Sequence, residues 1–267
     1  MEPLKVLFIG DIVGKPGRAI IKNYLSDICQ EYSIGLVIAN CENAAGGMSI
    51  TPEIANELFS YGIHVLTTGN HIFNNRNSIQ LLETNTHFLR PANFPDGVPG
   101  TGFTTLTINN ITIAVINLIG RIGMEPVDCP FIKFNTIYET IQSTSDLIFI
   151  DFHAEATSEK KAFGWFVDGK ATAVCGTHTH VQTADECILP QGTAYITDVG
   201  MTGPFDSVIG MDKDSSIHNF IYHTRIKFKV ANDDPKLNAV VITCNNVSKA
   251  VNIQRIIKSY EISTTNP

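Results

Sequence analysis

The chain has 267 residues, 43% hydrophobic and 17% charged, with a mean hydropathy of +0.07, which excludes a disordered chain and a low-complexity fibre. Its formal charge is −7, from 19 Lys and Arg against 26 Asp and Glu. That balance excludes a broad electrostatic grip on duplex DNA, which needs clustered positive charge; a phosphate substrate would have to be neutralised by something else, and a metal is the obvious candidate.

Residues 4–10 (LKVLFIG) are a continuous apolar run ending in glycine, the pattern of a buried strand. Gly14-Lys15-Pro16-Gly17 reads as a turn, with a helix from Pro16 to about Ile28. Residues 36–39 predict a second strand. Thr51-Pro52-Glu53 predicts a capped helix start, and Gly62 its end. A third strand follows at 65–68 and a helix at 77–82. Strands alternating with helices imply a parallel sheet built from right-handed crossovers.

Residues 91–102 form a Pro- and Gly-rich loop. The runs 103–108 and 111–118 flank Asn109-Asn110, a hairpin signal. Helices are expected at 133–144, 157–166 and 216–222, and strands at 146–152, 171–175, 181–189, 193–197, 225–230, 237–243 and 250–257. These are too many strands for one doubly wound sheet, so two packed sheets with outer helices are expected, in one domain spanning 1–267. No stretch approaches the ~20 apolar residues that span a bilayer, and the N-terminus lacks the order of a signal peptide. A cytoplasmic protein with no membrane partner is expected. The six cysteines include no CxxC pair and are expected to be free core thiols.

Chemistry-bearing residues recur where apolar runs end. Asp11 follows the first strand, at the carboxyl end where open α/β sheets bind ligands. Its loop is not a P-loop: three residues, not four, separate Gly10 and Gly14, and Pro16 follows the lysine. Asn40-Cys41-Glu42-Asn43 follows the second strand and Thr68-Gly69-Asn70-His71 the third. His153 ends the strand DLIFIDF, and Gly176-Thr177-His178-Thr179-His180 follows the next. Residues i and i+2 on extended backbone face one side, so His178 and His180 can address one metal cluster. Imidazole with carboxylate suits iron, manganese or zinc rather than magnesium or calcium.

The motifs GNH at 69–71 and GTHTH at 176–180 resemble those of the calcineurin-like metallophosphoesterases. Two departures stand out. Asp11-Ile12-Val13 lacks the histidine of that superfamily's first motif, and Cys41-Glu42-Asn43 replaces its second. With GDIVGKPGR, NCENAAGG, RPANFP, DFHAEATSEK and TDVGMTGPFDSVIGM, the chain resembles the YmdB-like family of bacterial 2′,3′-cyclic nucleotide phosphodiesterases. The resemblance implies a four-layered α/β/β/α sandwich and a two-metal phosphodiesterase, with iron or manganese as the ions and zinc as a third option. By that resemblance Glu42 bridges the metals; Asp11, Asn43 and His180 complete one site, and Asn70, His153 and His178 the other. It implies a metal-activated hydroxide as nucleophile and His71 as general acid. The substrate is then a small phosphodiester, a cyclic nucleotide or RNA with a cyclic phosphate end, and a homo-oligomer stays open. Alternatives are a broad phosphomonoesterase, a 3′,5′-cyclic nucleotide phosphodiesterase, or a regulatory protein retaining the metal site. Asp198 is positioned to orient a ligand histidine and residues 201–212 to cover the site, while His64, His87, His218 and His223 match no motif.

Overall fold

A computed structural model describes residues 3–224, 226–245 and 249–260. The strands are Leu4–Ile9 (β1), Asp11–Ile12 (β2), Leu36–Asn40 (β3), Val65–Thr67 (β4), Phe103–Ile108 (β5), Ile111–Ile119 (β6), Leu147–His153 (β7), Ala173–Thr177 (β8), Cys187–Ile188 (β9), Ala194–Ile196 (β10), Met201–Pro204 (β11), Pro235–Cys244 (β12) and Ala250–Ser259 (β13). The α-helices are Gly14–Tyr32 (α1), Pro52–Ser60 (α2), Asn77–Thr84 (α3), Pro130–Ile141 (α4), Thr157–Phe166 (α5) and Lys213–Tyr222 (α6). One sheet has seven strands in the order β2-β11-β12-β1-β3-β4, with β13 also pairing β12. The other has six, in the order β5-β6-β7-β8-β10-β9.

The sheets pack face to face between helices, giving the expected α/β/β/α layers. Val6, Phe8, Ile38 and Val240 of one sheet meet Val115, Phe149 and Ile196 of the other in the inner core. On one outer face Leu7, Ile9 and Val37 lie under Ile20 and Leu25 of α1 and Leu58 of α2. On the other, Ile116, Ile150 and Phe152 lie under Phe134 of α4 and Phe163 of α5. Strand alternation explains this division. In β7, Phe149 faces inward and Ile150 and Phe152 outward; by the same period Asp151 and His153 share Phe149's side. In β3 and β8 the inward series run Leu36, Ile38, Asn40 and Ala173, Cys175, Thr177. The inner layer is thus apolar along its length and polar at the carboxyl ends of parallel strands. The register adds a direct pairing there, setting His153 beside Thr177.

Several expectations are corrected. Gly14 starts α1 instead of lying in a turn, because its positive φ of 59° lets the chain bend straight from β2 into the helix. Residues 181–189 form a strand only at Cys187–Ile188, the part that pairs with β10. The expected strand at 225–230 is absent over 226–229, and Val230 makes an isolated pairing with Met211; Arg225 lies outside the described residues. The short strands β2 and β11 were missed, since two to four residues carry no readable period. Asn109 and Asn110 take φ values of 51° and 64°, as a type I′ hairpin requires. The six cysteines are free as expected, but only Cys41, Cys175 and Cys244 are buried, while Cys29, Cys129 and Cys187 are half-buried.

Gly176 sits where β8 passes close to β10: a Cβ there would stand 1.8 Å from the Thr197 carbonyl oxygen. Gly176→Ala should therefore push backbone against backbone and lower stability by about 1–3 kcal/mol or more. A urea midpoint equal to that of the parent chain would show that the two segments can separate at no cost.

Candidate metal centre and cleft

The seven expected ligand residues converge from five strand ends. Asp11 begins β2, Glu42 and Asn43 follow β3, Asn70 follows β4, His153 ends β7, and His178 and His180 follow β8. One set is tight. Single ligand atoms of Glu42, His153 and His178 lie within 4.8 Å of one another. His153 Nε2 stands 3.0 Å from Glu42 Oε1, 3.0 Å from His178 Nδ1 and 3.3 Å from Asn70 Oδ1. A second set stands alongside. His180 Nε2 is 3.3 Å from Asn43 Oδ1 and 3.9 Å from Asp11 Oδ1. Asp11 is fully buried, and its Oδ1 has no hydrogen-bond partner among the described residues.

The outer atoms of these side chains are held so that lone pairs turn inward. Thr177 Oγ1 donates to Asp151 Oδ1 at 2.6 Å, so its lone pairs are left for His153 Nδ1–H at 2.9 Å. His178 Nε2 donates to Glu155 Oε2 at 3.1 Å. His180 Nδ1 donates to the Ile209 carbonyl at 2.8 Å. Asn43 Nδ2 donates to the Gly47 carbonyl at 3.0 Å, which leaves Oδ1 for His180. Such partners set the tautomer and aim of a metal-binding imidazole. Asp151 in turn accepts from Asn40 Nδ2 at 2.9 Å and from Thr67 Oγ1, so the buried carboxylate is well bonded. Asn40 Oδ1 also accepts from the Glu42 backbone N–H at 3.1 Å, tying the second motif to the same network.

The titratable groups of the set act strongly on one another. Burial pushes the Asp11 carboxyl up to about 6, against the pull of His180 and His153. Burial also works against an ionised Glu42, but His153 and His71 beside it hold it down at about 2. Burial disfavours a charged His153, yet Glu42, Asp11 and Asp151 raise it to about 9. Burial, then the charge of His153, force His178 down to about 3. Carboxylate, amide and imidazole acceptors crowded in a dry site, with one buried carboxylate oxygen unbonded, fit a cation.

A buried ion pair holds the loop that carries two of the histidines. Lys160 of α5, 1% exposed, donates from Nζ to the Thr177 carbonyl and to Asp198 Oδ2, each at 2.7 Å. Asp198 Oδ2 also accepts from the Thr179 N–H at 3.0 Å, and Oδ1 from the Gly200 N–H at 2.8 Å. The peptide units on both sides of His178 are thus pinned. His178 and His180 take φ values of 99° and 65°, in the left-handed region that non-glycine residues avoid. Asp198 therefore acts on the backbone, not on a histidine ring. No role was read from the sequence for Lys160, Thr177 or Glu155, and Asn40, read there as an oxygen donor at the strand end, serves instead to hold Asp151 and Glu42. Asp151 had a signal, a carboxylate inside an otherwise apolar run.

His71 is apart from the tight set. Its backbone N–H donates to Glu42 Oε2 at 3.2 Å, and its Nδ1 is 3.3 Å from Asn43 Nδ2. It lines a cleft of about 470 Å³ with Glu42, Asn43, His178 and His180. Val208, Ile209 and Met211 wall the same cleft, so the 201–212 segment does border the site. Cys41 and Cys175 are buried and point to no ligand role: Cys41 Sγ donates to the Thr67 carbonyl. His64 Nδ1 accepts from the Val37 N–H, and His218 meets Thr224, both outside the cluster.

A family model described as YmdB-like protein matches residues 7–256. A 2′,3′-cyclic-nucleotide 2′-phosphodiesterase of Bacillus subtilis is 46% identical over 255 residues, covering 95% of this chain and 97% of that protein. A crystal structure described as a novel phosphatase from Mycoplasma pneumoniae superposes with a TM-score of 0.90 at 35% identity, covering 97% of this chain and 95% of the other. The NAD nucleotidase of Haemophilus influenzae, with a TM-score of 0.60 at 14% identity over 96% of this chain and 56% of its own, shares the fold alone.

Removing the cation of a buried pair leaves its carboxylate charged and underbonded. Lys160→Met should therefore cost about 3–5 kcal/mol, read as a lower urea midpoint. An unchanged midpoint would mean that the Thr179 and Gly200 amides satisfy Asp198 on their own.

Proposed function

We propose a function from one premise: the chain belongs to the YmdB-like protein family. It is a phosphodiesterase that opens 2′,3′-cyclic nucleotides at the 2′ ester. The observation that carries this reading is the acceptor-built cluster of Glu42, Asn70, His153 and His178, opening into a cleft beside His71. Glu42, Asn70, His153 and His178 would hold one ion, and Asp11, Asn43 and His180 a second, with Glu42 shared; iron or manganese suits these donors, and zinc is the third option. When bound, the ions supply Lewis-acid stabilisation of phosphoryl charge and acidify water.

The chain's own residues do the rest. Asn43 supplies the oxygen that stands in for the missing first-motif histidine, and its amide group faces His71 Nδ1. Water oxygen bonds to phosphorus and releases a proton to solvent, the bond from phosphorus to O2′ breaks as His71 gives O2′ a ring proton, and the ring takes a proton back from solvent; the product is a 3′-phosphate. The Glu42 carboxylate anchors His71 through its backbone N–H, so the donor and the cation cluster keep a fixed distance. Local charge at the site, not the net charge of −7, decides binding of an anion.

The test is turnover of 2′,3′-cyclic AMP to 3′-AMP by metal-loaded protein, beside 3′,5′-cyclic AMP and simple monoesters. His71→Ala should keep its metal content and lose rate by ~10²–10⁴-fold, the usual worth of general acid help. The loss should shrink for a nitrophenyl ester, whose leaving group needs no proton. Equal losses on both would assign His71 to positioning, and lost metal would make it a ligand. Preference for 3′,5′-cyclic AMP or for monoesters would replace the substrate proposed.

A further inference from the structure

The cleft has two unlike walls. One is the acceptor cluster. The other is apolar, formed by Met48, Val208, Ile209, Met211, Phe220 and Phe228. Phe220 is 76% exposed and Phe228 46% exposed. Two phenylalanines left open to water inside a cleft mark a surface that an apolar partner covers.

Helix α6 supplies a second, independent observation. Ser216 and Phe220 are four residues apart and so share one helix face. Ser216 lines the cleft too and is 2% exposed, yet its Oγ has no hydrogen-bond partner among the described residues. A buried hydroxyl without a partner is costly and uncommon. It is spare bonding capacity beside a flat aromatic surface.

We propose that Phe220 and Phe228, with the Ser216 hydroxyl between helix and cleft, form a nucleobase subsite; this rests on the cyclic-nucleotide reading above. A nucleotide has the same division as the cleft, an anionic phosphate at one end and a flat ring at the other. Stacking on an aromatic ring accepts every base, because every base has a π face. Discrimination by base edge needs several placed donors and acceptors, and this wall offers one hydroxyl. The subsite therefore ranks bases by stacking area, purines ahead of pyrimidines, and tolerates all four.

The experiment uses the full metal-loaded chain. The ratio of kcat/KM for 2′,3′-cyclic AMP over glycerol 1,2-cyclic phosphate, which has no base, should fall about 5- to 100-fold in Phe220→Ala, and in the same direction in Phe228→Ala. Phe220 is exposed, so its truncation leaves the core intact. Binding is read separately by calorimetry, as the affinity for 3′-AMP over inorganic phosphate, which should fall in the same variants. Unchanged ratios in both measurements, or a pyrimidine preference in the parent chain, would overturn the subsite. If the parent chain turns over no diester while 3′-AMP binding still depends on Phe220, the subsite stands and the phosphodiesterase reading fails. Turnover of 2′,3′-cyclic AMP with no effect of either phenylalanine gives the reverse.

Discussion

The whole arrangement turns on one constraint: carboxylates, imidazoles and amide oxygens are crowded inside a dry layer, where they need positive charge to balance them. Glu42 Oε1, His153 Nε2, His178 Nδ1 and Asn70 Oδ1 crowd together, and Asp11 Oδ1 is buried beside them with no hydrogen-bond partner among the described residues. Such a cluster is unfavourable unless positive charge enters it. A proton on His153, stabilised by Glu42, can supply part of that charge. Thr177, Glu155, Ile209 and Gly47 each take the proton-bearing side of a ligand residue and so turn its lone pair toward the centre.

The fold meets this constraint through strand alternation. The inner faces of β3, β7 and β8 run from apolar to polar as they reach the carboxyl ends, so the face that holds the sheets together also supplies Asn40, Asp151, His153 and Thr177. The Lys160–Asp198 pair then stabilises a loop whose backbone is strained at His178 and His180. A charge pair that is isolated in the core has an obvious use when it clamps both peptide units around a strained residue.

Much of this was legible in the sequence because it rests on local pattern. Apolar runs followed by Asp11, Glu42-Asn43, Asn70-His71, His153 and His178-Thr179-His180 marked both the strands and what they carry. The hairpin at Asn109-Asn110 and the cap at Thr51 were readable for the same reason, and Thr51 Oγ1 does accept from the Ile54 N–H. The rest depended on contacts between segments far apart in the chain. Lys160 reaches Thr177 and Asp198 across two elements, and nothing in TSEKKAFGWF distinguishes it from a solvated helix lysine. Asn40 stood in one of the strand-end motifs, but its bond to Asp151, 111 residues away, is visible only in the folded chain. The stretches 181–189 and 225–230 had the composition of strands, and over 181–186 and 226–229 no strand forms. The cleft's apolar wall was unreadable because Met48, Met211, Phe220 and Phe228 come together only in the folded chain.

The central claim is that the acceptor cluster holds two cations that share Glu42. Anomalous diffraction from crystals of the manganese-loaded protein tests it most directly. The account predicts two peaks per chain, ~3.5–4 Å apart, one against Asn70, His153 and His178, the other against Asp11, Asn43 and His180, with Glu42 touching both. A single peak, a pair that leaves Glu42 uncoordinated, or a peak bound by the His71 ring would contradict it.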